Sequence, residues 1–322
     1  MTTARRPATT DLPFDYLRVS VTDRCQLNCA YCRPPHHVAP AAREPLSASQ
    51  MAACCAALCA AAPIRKVRLS GGEPLLRADL PDLIAALPGN LELTLTTNGV
   101  LLAERASELA AAGLGRLNVS LDTADAASYH RVTRSPLLAR VLRGLAAAHA
   151  AGFRGTRLNA VLLPSLGAAG LRDLLAVAAD HAAMLRLIEL MPLGLEPAFY
   201  AANYVPASAV PALLSAAAEC LARAEGPGPH QRLLATLGDG RQVTVELIAP
   251  MSQPFCSDCR RLRLSADGQL IPCLLSPTRL PFVDERRRPP AAPAVRALLH
   301  QCAALKRRAG DLATQKMWAI GG

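Results

Sequence analysis

The chain has 322 residues, 51% hydrophobic and 19% charged, a balance that excludes disorder and lets a chain of this length bury about three-quarters of its unfolded surface. Its 35 Lys and Arg exceed its 25 Asp and Glu by 10, and the excess is spread: residues 1–190 hold 20 basic and 15 acidic side chains, residues 191–322 hold 15 and 10. Evenly spread charge and only 3% aromatics argue against a zinc-dependent nucleic-acid-binding protein. The apolar stretches Met51 to Ile64 and Pro197 to Ala218 are too short or too broken to span a bilayer, and no apolar core follows Arg5-Arg6. A cytoplasmic protein with a frayed N-terminus is expected, and eleven cysteines, an odd number, point to metal or cluster ligation rather than disulfides.

In chain order, short β-branched runs alternate with Ala/Leu-rich stretches. Strands are predicted at Leu17 to Val21, Lys66 to Leu69, Leu91 to Thr96, Arg116 to Leu121, Arg157 to Leu163 and Leu185 to Leu190. Helices are predicted at Ser47 to Ala62, opened by a Ser47/Gln50 capping box, and at Asp79 to Leu87, Ala103 to Ala112, Leu137 to Ala151 and Ala168 to Ala182. Six βα steps imply an α/β fold, an incomplete (βα)6 TIM-like barrel over residues 1–190, with its chemistry at the carboxyl ends of the strands. Residues 191–322 read as a C-terminal extension covering one opening of the barrel, with an antiparallel strand at Arg241 to Ile248, a Pro-broken basic stretch at Arg286 to Pro293 and a short final helix.

Cysteines form two spaced groups. Cys25, Cys29 and Cys32 follow the first strand as C-x3-C-x2-C, and three such thiolates can hold three irons of a 4Fe-4S cluster while leaving the fourth open to substrate. A zinc site would need a fourth ligand such as His36 or His37. Cys256, Cys259 and Cys273, spaced C-x2-C-x13-C, suggest a second cluster with an open iron, against a zinc ribbon that recruits a further Cys or His. Arg261 and Arg263 alternate on a strand within this segment and project to one side, an anion pocket beside the open iron. Cys54, Cys55 and Cys59 fall on one helix without convergent faces and, with Cys220 and Cys302, read as small core residues. Arg286 to Arg288 read as a solvated turn.

The first cysteine motif, Tyr31 before its third cysteine, and Ser70-Gly71-Gly72-Glu73-Pro74 at the next strand end together resemble the radical SAM superfamily. In that superfamily S-adenosylmethionine chelates the open iron and is cleaved to a 5'-deoxyadenosyl radical. Leu17 to Cys25, Val67 to Pro74, Leu95 to Gly99, Leu117 to Asp122, Ile188 to Met191, the C-x2-C-x-R-x-R segment and the terminal Gly321-Gly322 closely resemble the molybdenum cofactor biosynthesis protein A family, the GTP 3',8-cyclases, over nearly the full length. The resemblance implies two 4Fe-4S clusters on the six cysteines and S-adenosylmethionine contacts at Tyr31, Gly72, Ser120 and Met191. It implies GTP contacts at Arg18, Arg68, Thr96, Arg157, Arg261, Leu262 and Arg263, with Arg157 standing where the family has lysine. It assigns Gly321 and Gly322 a part in catalysis, and Arg186 matches a basic family position. The implied reaction converts GTP to (8S)-3',8-cyclo-7,8-dihydroguanosine 5'-triphosphate, the first step of molybdopterin synthesis. It also implies a reductant such as flavodoxin or ferredoxin, cyclic pyranopterin monophosphate synthase downstream, and a monomer or homodimer. Within the superfamily, the competing reading is a peptide-modifying enzyme with an auxiliary cluster; such enzymes usually carry more auxiliary cysteines and a peptide-recognition domain.

Overall fold

Among the described residues, twelve strands join one sheet. The computed structural model describes residues 12–32, 44–226, 230–254, 256 and 259–308. The central strands are β1 (Tyr16–Ser20), β2 (Lys66–Ser70), β3 (Glu92–Thr97), β4 (Arg116–Ser120), β5 (Arg157–Leu162) and β6 (Met184–Glu189), each parallel to the next. Helices α1 (Ala48–Ala61), α2 (Leu80–Ala86), α3 (Leu102–Ala111), α4 (Ala126–Thr133), α5 (Leu138–Ala150) and α6 (Gly167–Asp180) fill the crossovers. The predicted helices stand within two residues of these bounds, and both hydrogen bonds of the Ser47/Gln50 capping box are made. Helix α4 went unread. Its cap is Asp125, whose carboxylate accepts from Ser128 N.

Period-2 alternation sorts the strands into two faces. Leu17, Val19, Val67, Leu69, Leu95, Leu117, Val119, Leu158, Leu185 and Leu187 share one core with helix residues such as Met51, Leu58, Leu83, Leu109, Val141 and Leu174. The opposite face is polar. The sheet stays open, as an incomplete TIM barrel does.

Residues after 191 do not form a separate cover. Helices α7 (Pro197–Asn203) and α8 (Val210–Ala217) precede β7 (Cys220–Arg223), β8 (Gln231–Thr236) and β9 (Gln242–Ile248); then come β10 (Arg261–Leu264), β11 (Gln269–Ile271), β12 (Leu280–Pro281) and α9 (Ala292–Arg308). Strand β9 adds parallel to β6 and β10 adds parallel to β1, so this region extends the sheet at both edges. Antiparallel β8 and β11 then cover the outer edges of β9 and β10, which keeps the two edges from pairing with each other. The strand predicted at Arg241 to Ile248 is present, antiparallel to β8 but parallel to β6. Pro293 opens α9 in its first turn, where a missing N–H costs nothing, and the helix runs 17 residues. The Arg286 to Arg288 turn is closed by Arg288 on Asp284, while Arg287 donates to the carbonyls of Glu44 and Pro45. Cys54, Cys55 and Cys302 are buried as expected, but Cys220 is exposed, because it lies on the edge strand β7.

Register at the β6–β9–β8 edge is locked by charge. Glu246 on β9 lies directly opposite Arg186 on β6 and Arg232 on β8. Its Oε2 accepts from Arg186 Nε at 2.6 Å and its Oε1 from Arg232 Nη2 at 2.7 Å, with all three residues buried. Burial raises the Glu246 carboxyl, but the two guanidiniums outweigh it and hold the group below its ordinary value. Glu246→Ala should therefore cost about 3–5 kcal/mol in urea unfolding, because two buried cations lose their shared partner. In the native protein, Glu246's contribution to stability should be complete above the unfolded carboxylate pKa and be lost as pH falls through the lower folded value.

Candidate functional site

Immediately after β1, the chain enters the first cysteine loop, which is held by backbone. Asn28 N donates to Thr133 O at 3.1 Å and Ala30 N to Val132 O at 2.9 Å, so the end of α4 carries the loop. From the other side, Gly72 N donates to Thr22 O and Glu73 N to Arg24 O, both at 2.7 Å. A Cβ on Gly71 would stand 2.3 Å from Thr22 O, and one on Gly72 would stand 2.2 Å from Arg24 O; Gly71 also sits at φ +148°. The glycine pair thus fits the cysteine loop's own backbone. Glu73 likewise does not present a free charge. Fully buried, it accepts from Leu75 N, Thr97 Oγ1 and Asn98 N, and burial pushes it up to about 7 against those donors.

Tyr31 is buried and its hydroxyl donates to Asp122 Oδ2 at 2.7 Å, while Asp122 Oδ1 accepts from Val161 N at 2.8 Å. This chain of contacts ties the cysteine loop to the ends of β4 and β5. Burial lifts Asp122 to about 6 and lifts Tyr31 well above its ordinary value. The Cys29 thiol is also pushed well up, first by burial, then by Asp122, Cys32 and Cys25. Thiols that raise one another in a buried loop are poor thiolates unless a cationic centre sits among them, and an iron cluster is such a centre. Asn98 Nδ2 reaches Cys25 Sγ at 3.7 Å. Among the described residues no three His, Cys, Asp or Glu side chains gather closely enough to hold a single metal ion.

The second cysteine group lies at the opposite end of the sheet. Cys259 precedes β10, which runs parallel to β1, whereas Cys25 follows β1. Cys273 follows antiparallel β11, in which Ile271 pairs with Arg263, so it returns to the level of Arg261. The second group therefore does not sit at the carboxyl ends of the barrel strands, because Cys256 and Cys259 precede β10. Burial, then Cys273 and Cys259, raises the Cys256 thiol, so this donor set also suits a cationic cluster. Lys306 on α9, missed in the sequence, donates to Arg261 O; burial raises the Cys259 thiol, but Lys306 and Arg261 together outweigh it and hold the group below its ordinary value.

Between these groups the polar face is lined with cations. Register places Arg261 and Arg263 opposite Tyr16 and Arg18, and those opposite Lys66 and Arg68. Burial and neighbouring cations depress the guanidiniums of Arg68, Arg261 and Arg263. Arg157 lies on the same face of β5, opposite Asn118. Arg68 Nε, Thr96 Oγ1, Asn118 Oδ1 and Asn159 Oδ1 are buried with no hydrogen-bond partner among the described residues. Glu92 is engaged by Lys66 and Arg116. A crowded, desolvated set of cations with orphaned polar atoms beside it is chemically suited to a polar anion.

The structure brings Arg18, Arg68, Arg261 and Arg263 together, with Thr96 and Arg157 farther along the same face. Leu262 differs: alternation buries its side chain in the core, so only its main chain can face the arginine side. Ser120 ends β4 on the polar face. Met191 packs with Leu193 and Ile271 beside Leu274 and Leu275, next in sequence to Cys273. Arg186 is committed to Glu246. Gly321 and Gly322, like His36 and His37, lie outside the described residues. Tyr16, Glu246, Arg232, Asn118 and Asn159 were missed; the alternation of Tyr16 with Arg18 was the available signal for the first.

A partial parallel barrel with a three-cysteine loop after its first strand defines the class as radical SAM. Residues 19–177 match the Radical SAM superfamily and residues 183–312 match Molybdenum Cofactor Synthesis C. The GTP 3',8-cyclase of Rhodopirellula baltica is 38% identical over 279 residues, covering 85% of this chain and 78% of that protein. The GTP 3',8-cyclase of Moorella thermoacetica is 39% identical over 268 residues, 81% of each chain. The crystal structure of Streptococcus suis SuiB bound to S-adenosylmethionine has the same fold at a TM-score of 0.62 and 14% identity, covering 83% of this chain and 63% of that one. The chain belongs to the GTP 3',8-cyclase family of the radical SAM superfamily.

The Tyr31–Asp122 link is testable. Asp122→Ala strands a buried hydroxyl and the Val161 N–H and should cost about 1–3 kcal/mol for each. Asp122→Asn, which can still accept from Val161 N and donate to the tyrosine oxygen, should cost less in the same urea titration.

Proposed function

We propose that the chain is a GTP 3',8-cyclase that converts GTP to (8S)-3',8-cyclo-7,8-dihydroguanosine 5'-triphosphate at the first step of molybdopterin biosynthesis. The observation that carries this reading is the arginine-lined sheet face set between two groups of three cysteines. Cys25, Cys29 and Cys32 would hold one 4Fe-4S cluster, and Cys256, Cys259 and Cys273 the other. When bound, the first cluster and S-adenosylmethionine supply the radical that takes the 3' hydrogen of GTP.

Arg18, Arg68, Arg261 and Arg263 bind the triphosphate, and Thr96 and Arg157 extend the polar path along the same face. Arginine suits this because each planar guanidinium can donate twice to phosphate oxygens. Tyr31, Gly72, Ser120 and Met191 line the S-adenosylmethionine side, with Gly72 contributing main chain, since the place of a side chain there is taken by Arg24 O. In this arrangement GTP lies along the strands, its reacting ribose toward the first cluster and its purine toward the second. Strand β1 spans five residues, about 16 Å, a length comparable to that of an extended nucleotide.

The functional division falls near residue 190, with the first cluster before it and the second cluster with two of the arginines after it. Gly321-Gly322 would enter catalysis as a tail reaching the site. The protein would work in the cytoplasm as a monomer or homodimer, draw electrons from a flavodoxin or ferredoxin, and pass its product to cyclic pyranopterin monophosphate synthase. No helix among the described residues is long and apolar enough to cross a membrane.

Anaerobic incubation with GTP, S-adenosylmethionine and a reductant should yield 5'-deoxyadenosine and the cyclised nucleotide from protein carrying about eight irons per chain. Iron-replete protein that makes neither would sink the reading. Arg263→Ala should weaken GTP binding by about 10- to 100-fold in equilibrium dialysis while the iron content is unchanged.

A further inference from the structure

The arginines of this site face one another across adjacent strands, and like charges so placed repel. On the same face Glu92 pairs with Lys66 and Arg116, and Glu246 with Arg186 and Arg232. At the centre of the cation group stands the ring of Tyr16. Its centroid is 5.5 Å from the Arg68 guanidinium carbon, 5.9 Å from that of Arg18, 6.0 Å from that of Arg261 and 5.8 Å from Lys66 Nζ. Register explains the convergence: Tyr16 lies directly between Arg261 and Lys66, with Arg18 two residues along its own face and Arg68 diagonal to it.

We propose that Tyr16 is a positioning residue of the GTP site, whose aromatic ring gathers Arg18, Arg68 and Arg261 into the geometry that receives the triphosphate. The proposal rests on the GTP reading above. An aromatic face offers cations a partial negative charge without the full charge of a carboxylate. A carboxylate at this position would pair with the arginines and compete with the phosphates. The ring holds them together and leaves their charge available, so the ligand does not have to assemble the cluster from splayed side chains. The hydroxyl, in the same surroundings, is lowered below its ordinary value by Arg68, Arg18 and Arg261 despite burial that raises it, which agrees with cations drawn close around this residue.

The test is equilibrium dialysis of iron-replete protein with GTP, paired with kcat and KM for 5'-deoxyadenosine formation. Tyr16→Phe, which keeps the ring, should bind GTP within about threefold of the native protein, and Tyr16→Leu should bind about tenfold or more weakly. The loss should appear in KM, with kcat at saturating GTP little changed. If Tyr16→Leu does not fold, Tyr16→Met makes the same comparison with a more adaptable apolar side chain. Native-like affinity in the folded non-aromatic variant overturns the proposal, as does a Tyr16→Phe variant as weak as Tyr16→Leu, which would place the role on the hydroxyl. Native protein that binds no GTP overturns the substrate reading, and this inference with it.

Discussion

The parallel register of β10, β1 and β2 is the constraint on which the rest of the site depends. It puts Arg263, Arg18 and Arg68 side by side on one face, with Arg261 and Tyr16 one step below. Had β10 slipped by one residue, Arg261 and Arg263 would point into the helix-facing core and Leu262 and Leu264 into the polar face. The apolar side therefore enforces the polar one: Leu262 and Leu264, both buried, fix the phase that keeps the arginines together. The crowding is tolerable because the core face secures the strands independently and because an aromatic ring sits among the charges.

A second constraint acts on the cysteine loop. It is held less by side chains than by main chain, from the Gly71-Gly72 corner on one side and the carbonyls that end α4 on the other. Such contacts are short and directional, and they tolerate no Cβ at the glycines. Tyr31 and Asp122 then extend the anchorage to β4 and β5. The loop that would carry the first cluster is thereby positioned by the ends of β2, β4 and β5, the common way in which parallel barrels assemble chemistry from separate segments.

The second cysteine group reaches its place through topology. Residues beyond 190 return to both edges of the sheet, and the strand on the β1 side follows Cys256 and Cys259, while antiparallel β11 brings Cys273 back to their level. The two groups therefore face each other along the strands with the arginines between them. At the far edge, Glu246 clamps Arg186 and Arg232 and sets the register of β9 and β8, so that edge is held by charge where the β10 edge is held by apolar alternation and by Lys306 from α9.

Much of this was legible in the chain. The βα rhythm, the cysteine spacings and the alternation of Arg261 with Arg263 are local patterns whose periods follow from strand geometry and ligand number. What stayed illegible is non-local. Glu246 looks like any strand acid until β6 and β8 flank it, Asp122 and Tyr31 are far apart in the chain until they meet, and Glu73 shows no partner until Thr97 and Asn98 fold over it. By itself, then, the sequence determined which residues share a face and which cysteines group together, because both depend on spacing along one chain. Only the tertiary structure decided that the two cysteine groups stand at opposite ends of the sheet, and that Tyr16 sits among four cations. Both depend on which strands become neighbours and in which register, and that is settled by burial across the whole sheet rather than within any one segment.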